Sequence, residues 1–121
     1  MAQHKPPPVR LDEHTFAGDM LIGLISDTHI PEARASLFDE VYEAFRDVDL
    51  ILHGGDLHDI VVLDWLQELA PVLAARGNGD DGDAGRPLAP DDDRLAHNQL
   101  LHINGLKLGM THAFPDRPYG A

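Results

Sequence analysis

Residues 49–56 read Asp49-Leu50-Ile51-Leu52-His53-Gly54-Gly55-Asp56. Consecutive aliphatic residues, then a glycine pair and a carboxylate, describe a short buried strand that leaves through a tight bend carrying an acid. Upstream, residues 20–25 form a second apolar run with Leu21, Ile22, Leu24 and Ile25. It reads as a strand buried on both faces, and it ends in Ser26-Asp27-Thr28-His29. Downstream, residues 72–75 give a third strand, followed by Gly77-Asn78. Between the first two strands, Leu37, Phe38, Val41, Ala44 and Phe45 fall at helical spacing over residues 36–46. Ser36 is placed to cap that helix, and Asp39 and Glu40 suit its first turn. A second helix spans 60–70 through Leu63, Trp65, Leu66 and Leu69; Asp59 is placed to cap it and Pro71 ends it. The order strand, helix, strand, helix, strand predicts right-handed crossovers and a parallel sheet, an α/β fold.

Outward from this unit the pattern changes. Residues 1–18 read as a disordered tail, because Pro6, Pro7 and Pro8 block helix and sheet hydrogen bonding. His4 and His14 are read as solvated residues of that tail. Residues 77–94 are rich in aspartate and read as a polar connection, within which Asp80 is near enough to orient Asn78. Asn104-Gly105 then sits between apolar segments at 99–103 and 106–110 and predicts a hairpin, with Ile103 facing Leu106 and Leu101 facing Leu108. Farther out, that register sets His97 opposite His112. Residues 19–121 are therefore read as one structured unit.

Composition narrows the function classes. The chain has 121 residues and a net charge of −12. That balance disfavours a protein that grips phosphate backbones by charge, so no nucleic-acid partner is expected. No apolar run is long enough to span a bilayer, and the start lacks the apolar stretch of a secretory signal, so no membrane partner is expected. With no cysteine, disulfides, thiolate metal sites and cysteine nucleophiles are excluded, which fits a cytoplasmic location.

In a parallel α/β sheet, ligands bind beyond the carboxyl ends of the strands. Those ends carry Asp27, Thr28 and His29, then Gly54, Gly55 and Asp56, then Gly77 and Asn78, and finally His112. Aspartate and histidine one residue apart can point the same way as the chain leaves a strand. Carboxylate, imidazole and amide donors without sulfur suit Mn²⁺, Fe or Zn²⁺. Two such ions, about 3.5–4 Å apart, would activate a water for in-line attack on phosphorus. Two dications against two carboxylates and a hydroxide leave the centre net positive, although the chain is acidic.

The series Asp27-Thr28-His29, Gly55-Asp56, Gly77-Asn78 and Thr111-His112 resembles the calcineurin-like metallophosphoesterases, most closely their small bacterial and archaeal phosphodiesterases. The resemblance covers roughly residues 19–115 and implies the αββα sandwich of that superfamily. By it, Asp27, His29 and Asp56 hold the first metal, Asp56 bridges, and Asn78 and His112 hold the second. Mn²⁺ is the expected ion, with Fe, Zn²⁺ and Ni²⁺ as alternatives. The implied reaction is phosphodiester hydrolysis by metal-bound hydroxide on a small-molecule substrate.

Three departures are visible. The family's later Gly-His-x-His is not in these residues, so the chain is expected to be the front part of a domain, impaired alone and prone to self-association into a homo-oligomer. Gly79 stands where many members have a histidine serving substrate, and Ala113-Phe114 follow His112. The alternative to an enzyme is a non-catalytic protein-interaction scaffold of the same fold. A retromer subunit serves in that way, and His29-Ile30-Pro31 resembles it.

For the other histidines, plainer roles are expected. His53 faces the core or a neighbouring strand. His58 is an exposed histidine at a helix start, or else a substrate contact beside Asn78. His97 is structural but is the one nearby candidate to replace a missing ligand, and His102 faces solvent. Trp65 and the phenylalanines are read as core.

Overall fold

The structure, a computed structural model, describes residues 9–82 and 87–112. The expected alternation is present as β2 (Ile22–Ile25), α1 (Asp39–Ala44), β3 (Leu50–His53), α2 (Val61–Gln67) and β4 (Val72–Ala75). The strand β1 (Leu11–Phe16) precedes them, and β5 (Leu95–Ala96), β6 (Asn98–Ile103) and β7 (Leu106–Thr111) follow. One sheet runs β2-β3-β4-β5, all parallel; the other runs β1-β6-β7, with β1 parallel and β7 antiparallel to β6.

The two-residue period of β3 builds both cores. Leu50 and Leu52 meet Leu101 of β6 between the sheets, while Ile51 packs with Val62, Leu63, Leu66, Val72 and Ala74 under the helices. The result is a mixed α/β sandwich. Of the αββα order, the described residues supply one helical layer and both sheets. No helix among them is long and apolar enough to cross a membrane.

The tail expected over 1–18 does not hold for residues 11–16. They form β1, paired in parallel with β6 from Leu11 opposite Asn98 to Phe16 opposite Ile103. Asp12, Glu13 and His14 make this strand look like solvated chain, and its partner is remote in sequence, so no local pattern reveals it. His14 is not a free tail residue: its Nε2–H donates to Gln99 Oε1 at 2.9 Å, while the Gln99 amide donates to the Ala74 carbonyl of the other sheet at 2.8 Å. Residues 1–8, including His4, lie outside the described residues.

Three smaller readings are corrected. β2 lies at a sheet edge, so Leu24 is 71% exposed instead of buried on both faces. α1 starts at Asp39 without a side-chain cap, which leaves Ser36 outside it. Phe38 is exposed beneath the Arg34 guanidinium, 3.7 Å from the ring centre, and is not core. Asp59 takes its expected place, accepting the Val61 N–H at 3.0 Å as α2 begins.

The hairpin keeps its expected register, Ile103 opposite Leu106 and Leu101 opposite Leu108. Asn104 and Gly105 both have positive φ, 50° and 83°, as a two-residue turn of the favoured hand requires. Gly105→Ala is expected to cost about 1 kcal/mol in urea unfolding, because an L side chain resists that φ. Unchanged stability would contradict the turn's role.

Candidate metal centre

Three loops leave the carboxyl ends of β2, β3 and β4 side by side. The parallel ladder continues past the strands: Asp27 N–H donates to the Gly55 carbonyl (2.9 Å), His29 N–H to that of Asp56 (3.0 Å) and Ile30 N–H to that of Leu57 (3.1 Å). These bonds carry Asp27 and His29 against Asp56 and His58. All four residues have left-handed backbones, with φ of 56°, 50°, 58° and 74°. Such a conformation costs a residue with a side chain about 1–2 kcal/mol. Its repetition in one cluster is the strain expected where function holds a shape.

Asp80 holds the cluster from below. After β4 the chain turns through a 3₁₀ segment, Asn78–Asp80, which buries Asp80 completely. Its carboxylate accepts the backbone N–H groups of Asp56 (2.8 Å), His58 (2.8 Å) and Gly77 (2.9 Å). The expectation that it orients Asn78 was too narrow, because it ties the β3 and β4 loops together.

Asp56 stands at the centre. Its Oδ1 accepts the Gly79 N–H at 2.9 Å, and its Oδ2 lies 3.6 Å from His29 Nε2 and 3.4 Å from His112 Nε2. Asp27 Oδ1 is 3.3 Å from His29 Nε2. Two donor sets each fall within 4.8 Å, namely His29, Asp56 and His58, and Asp27, Asp56 and His112. Asp56 belongs to both. Asn78 begins the 3₁₀ turn, exposed, between two glycines packed on Asp56.

Partners outside the cluster orient the imidazoles. The Gly54 carbonyl accepts from His112 Nδ1 at 2.8 Å, which leaves the Nε2 lone pair toward Asp56. Glu32 accepts from His58 Nδ1 at 2.9 Å, which frees Nε2 in the same way. Fixing one ring nitrogen so that the other can coordinate is the usual support of a metal-binding histidine. Burial alone would push the Asp27 carboxyl up, but the Ser26 hydroxyl at 2.6 Å and the nearby His29 and His112 outweigh it and hold it below its ordinary range. An ionised carboxylate is the form that binds metal. The donor chemistry thus fits divalent cations.

His58 departs from expectation. Its side chain is only 5% exposed, packed 4.2 Å from the His29 ring and held by Glu32. A side chain at Gly79 would run into the His58 ring, so that ring occupies the space a histidine at 79 would need. No local sequence pattern marks Glu32, because its contact with His58 is purely tertiary. His97 does not join the cluster: its Nε2 is 2.8 Å from Asp81 Oδ2 and its Nδ1 accepts the Arg10 N–H. An open cavity of about 320 Å³, lined in part by Pro31, Glu32, His58, Ile60 and Leu88, adjoins the centre.

Comparison with known proteins agrees with this chemistry. A model of the calcineurin-like phosphoesterase superfamily domain matches residues 20–118. A probable metallophosphoesterase of Methanocaldococcus jannaschii is 39% identical over 105 residues, covering 87% of this chain and 49% of that protein. Another from Methanothermobacter thermautotrophicus is 42% identical over 93 residues, covering 77% and 49%. The chain therefore spans about half the length of these curated relatives. Among solved structures, Chaetomium thermophilum Vps29 aligns with a TM-score of 0.58 at 19% identity, over 75% of this chain and 45% of that one. A single-substitution variant of Entamoeba histolytica Vps29 aligns at 0.57 and 23% identity, over 84% and 53%. These two show a shared fold. Family model, relatives and strand-end donors agree: the chain belongs to the calcineurin-like phosphoesterase superfamily.

Proposed function

We propose that this chain carries the binuclear centre of a cytoplasmic metallophosphoesterase acting on small phosphodiesters. The observation that supports it most is Asp56, one carboxylate common to two donor sets. Asp27 and His29 would hold one ion, Asn78 and His112 the other, and Asp56 would bridge. The two compact donor sets pair Asp27 with His112 and His29 with His58, and Asp56 is common to both. Mn²⁺ is the proposed ion, with Fe, Zn²⁺ and Ni²⁺ as alternatives.

Bound divalent cations would supply an activated water and neutralise phosphate charge. The chain's own residues do the rest. Gly79 N–H and the Asp80 carboxylate keep Asp56 in one orientation. His58, braced by Glu32, and Asn78 are the proposed contacts for the substrate's phosphate, and the cavity beside His58 is the proposed seat of the ester's organic group.

Calorimetric titration of Mn²⁺ into the full chain tests the reading, with Asp56→Asn as the comparison. Loss of a ligand is expected to weaken Mn²⁺ binding about 100-fold or more, beyond the range for a supporting residue. Equal affinity in the two proteins would refute the shared-carboxylate role. A rate of bis-p-nitrophenyl phosphate hydrolysis with Mn²⁺ that exceeds the Asp56→Asn rate excludes the interaction scaffold, which predicts identical rates for both. The convergence of acidic and imidazole donors, which a scaffold does not need, favours the enzyme.

A further inference from the structure

His53 lies at the end of β3 with no exposed surface, outside the proposed ligand set. Its Nδ1 is 3.0 Å from the backbone nitrogen of Gly55. An amide N–H only donates, so Nδ1 must accept, and the proton of a neutral ring then sits on Nε2. Nε2 is 3.1 Å from Thr28 Oγ1, and that hydroxyl is 3.5 Å from the Leu57 carbonyl. The directions follow in one sense: Gly55 N–H to Nδ1, Nε2–H to Thr28 Oγ1, Thr28 O–H to Leu57. Burial is the main reason the ring stays neutral.

The path joins both ligand loops. Thr28 lies between Asp27 and His29, and Gly55 and Leu57 flank Asp56. We propose that His53 is a positioning residue for the metal centre, its Nε2–H tautomer clamping the Asp27–His29 loop to the Asp56 loop through Thr28. This rests on the metal reading above. A buried histidine that merely filled space would not require one tautomer or a hydroxyl at residue 28.

Two measurements on the full chain decide it. Imidazole ¹⁵N spectra of the wild-type protein, without metal, are expected to show His53 with an unprotonated Nδ1 and a protonated Nε2. The opposite tautomer overturns the proposal without any variant having to fold. Mn²⁺ titration of Thr28→Val is expected to give affinity lowered about 10-fold or more, with Thr28→Ser restoring it to within about threefold of wild type. His53→Asn, which keeps an acceptor for Gly55 but cannot reach Thr28, should resemble Thr28→Val. Wild-type binding with unchanged affinity in Thr28→Val removes this role alone. Absence of Mn²⁺ binding by the wild-type chain removes the metal reading and this role together.

Discussion

Asp80→Ala is expected to lower unfolding free energy by about 3–5 kcal/mol, from the loss of three buried hydrogen bonds to one carboxylate. The carboxylate is fully buried and accepts three backbone N–H groups, from Asp56, His58 and Gly77. Alanine leaves those donors unpaired, each at a cost of about 1–3 kcal/mol. Relief of the carboxylate's own desolvation returns part of the sum, so the total stays below three full penalties. Asp80→Asn keeps the shape but turns an amide N–H toward backbone donors, and an intermediate loss is expected. Urea unfolding with chelator present is the appropriate measurement, because bound metal would mask the effect. A change under 1 kcal/mol in Asp80→Ala would show that the three bonds are replaceable. Mn²⁺ binding should weaken in both variants, since Asp56 and His58 lose their anchor.

Acid should destabilise the metal-free protein well before its carboxylates titrate. Burial is the first cause that lowers the His53 imidazole from its ordinary 6.5 to about 4, with Asp27 opposing and His112 and His29 adding to it. Below pH 6.5 the unfolded chain binds a proton that the folded chain refuses, so stability falls with falling pH. The contribution is complete above about pH 6.5 and is lost as the pH approaches 4. The interval from 6.5 to about 4 corresponds to about 3 kcal/mol. Chelated protein followed by urea unfolding at several pH values should show that decline, and His53→Asn should flatten it. A wild-type profile flat between pH 6.5 and 4.5 would contradict a buried neutral His53. The Asp27 carboxyl, held below its usual range, adds loss only at lower pH, in the same direction.

Much of the frame was legible because its signals are local. The apolar runs at β2, β3 and β4, the helical spacing of α2 and the Asn104-Gly105 turn can each be read from a few neighbouring residues. The resemblance to one family likewise rested on strand ends, where Asp27, His29, Asp56 and His112 stand in order. β1 was illegible for the opposite reason: its residues are polar, and only pairing with β6 makes them a strand. Leu24 looked like core because a sequence does not say which strand is outermost.

By itself the sequence determined which residue types stand at the strand ends, and so the class of chemistry available there. The folded chain alone decided how they are held. It put Asp80 beneath three amides, set Glu32 behind His58, kept His97 away on Asp81, and left Asp56 between two imidazoles. The reason is physical. Strand and turn preferences act over a few bonds, whereas each of these contacts joins separate loops whose meeting depends on sheet order and burial.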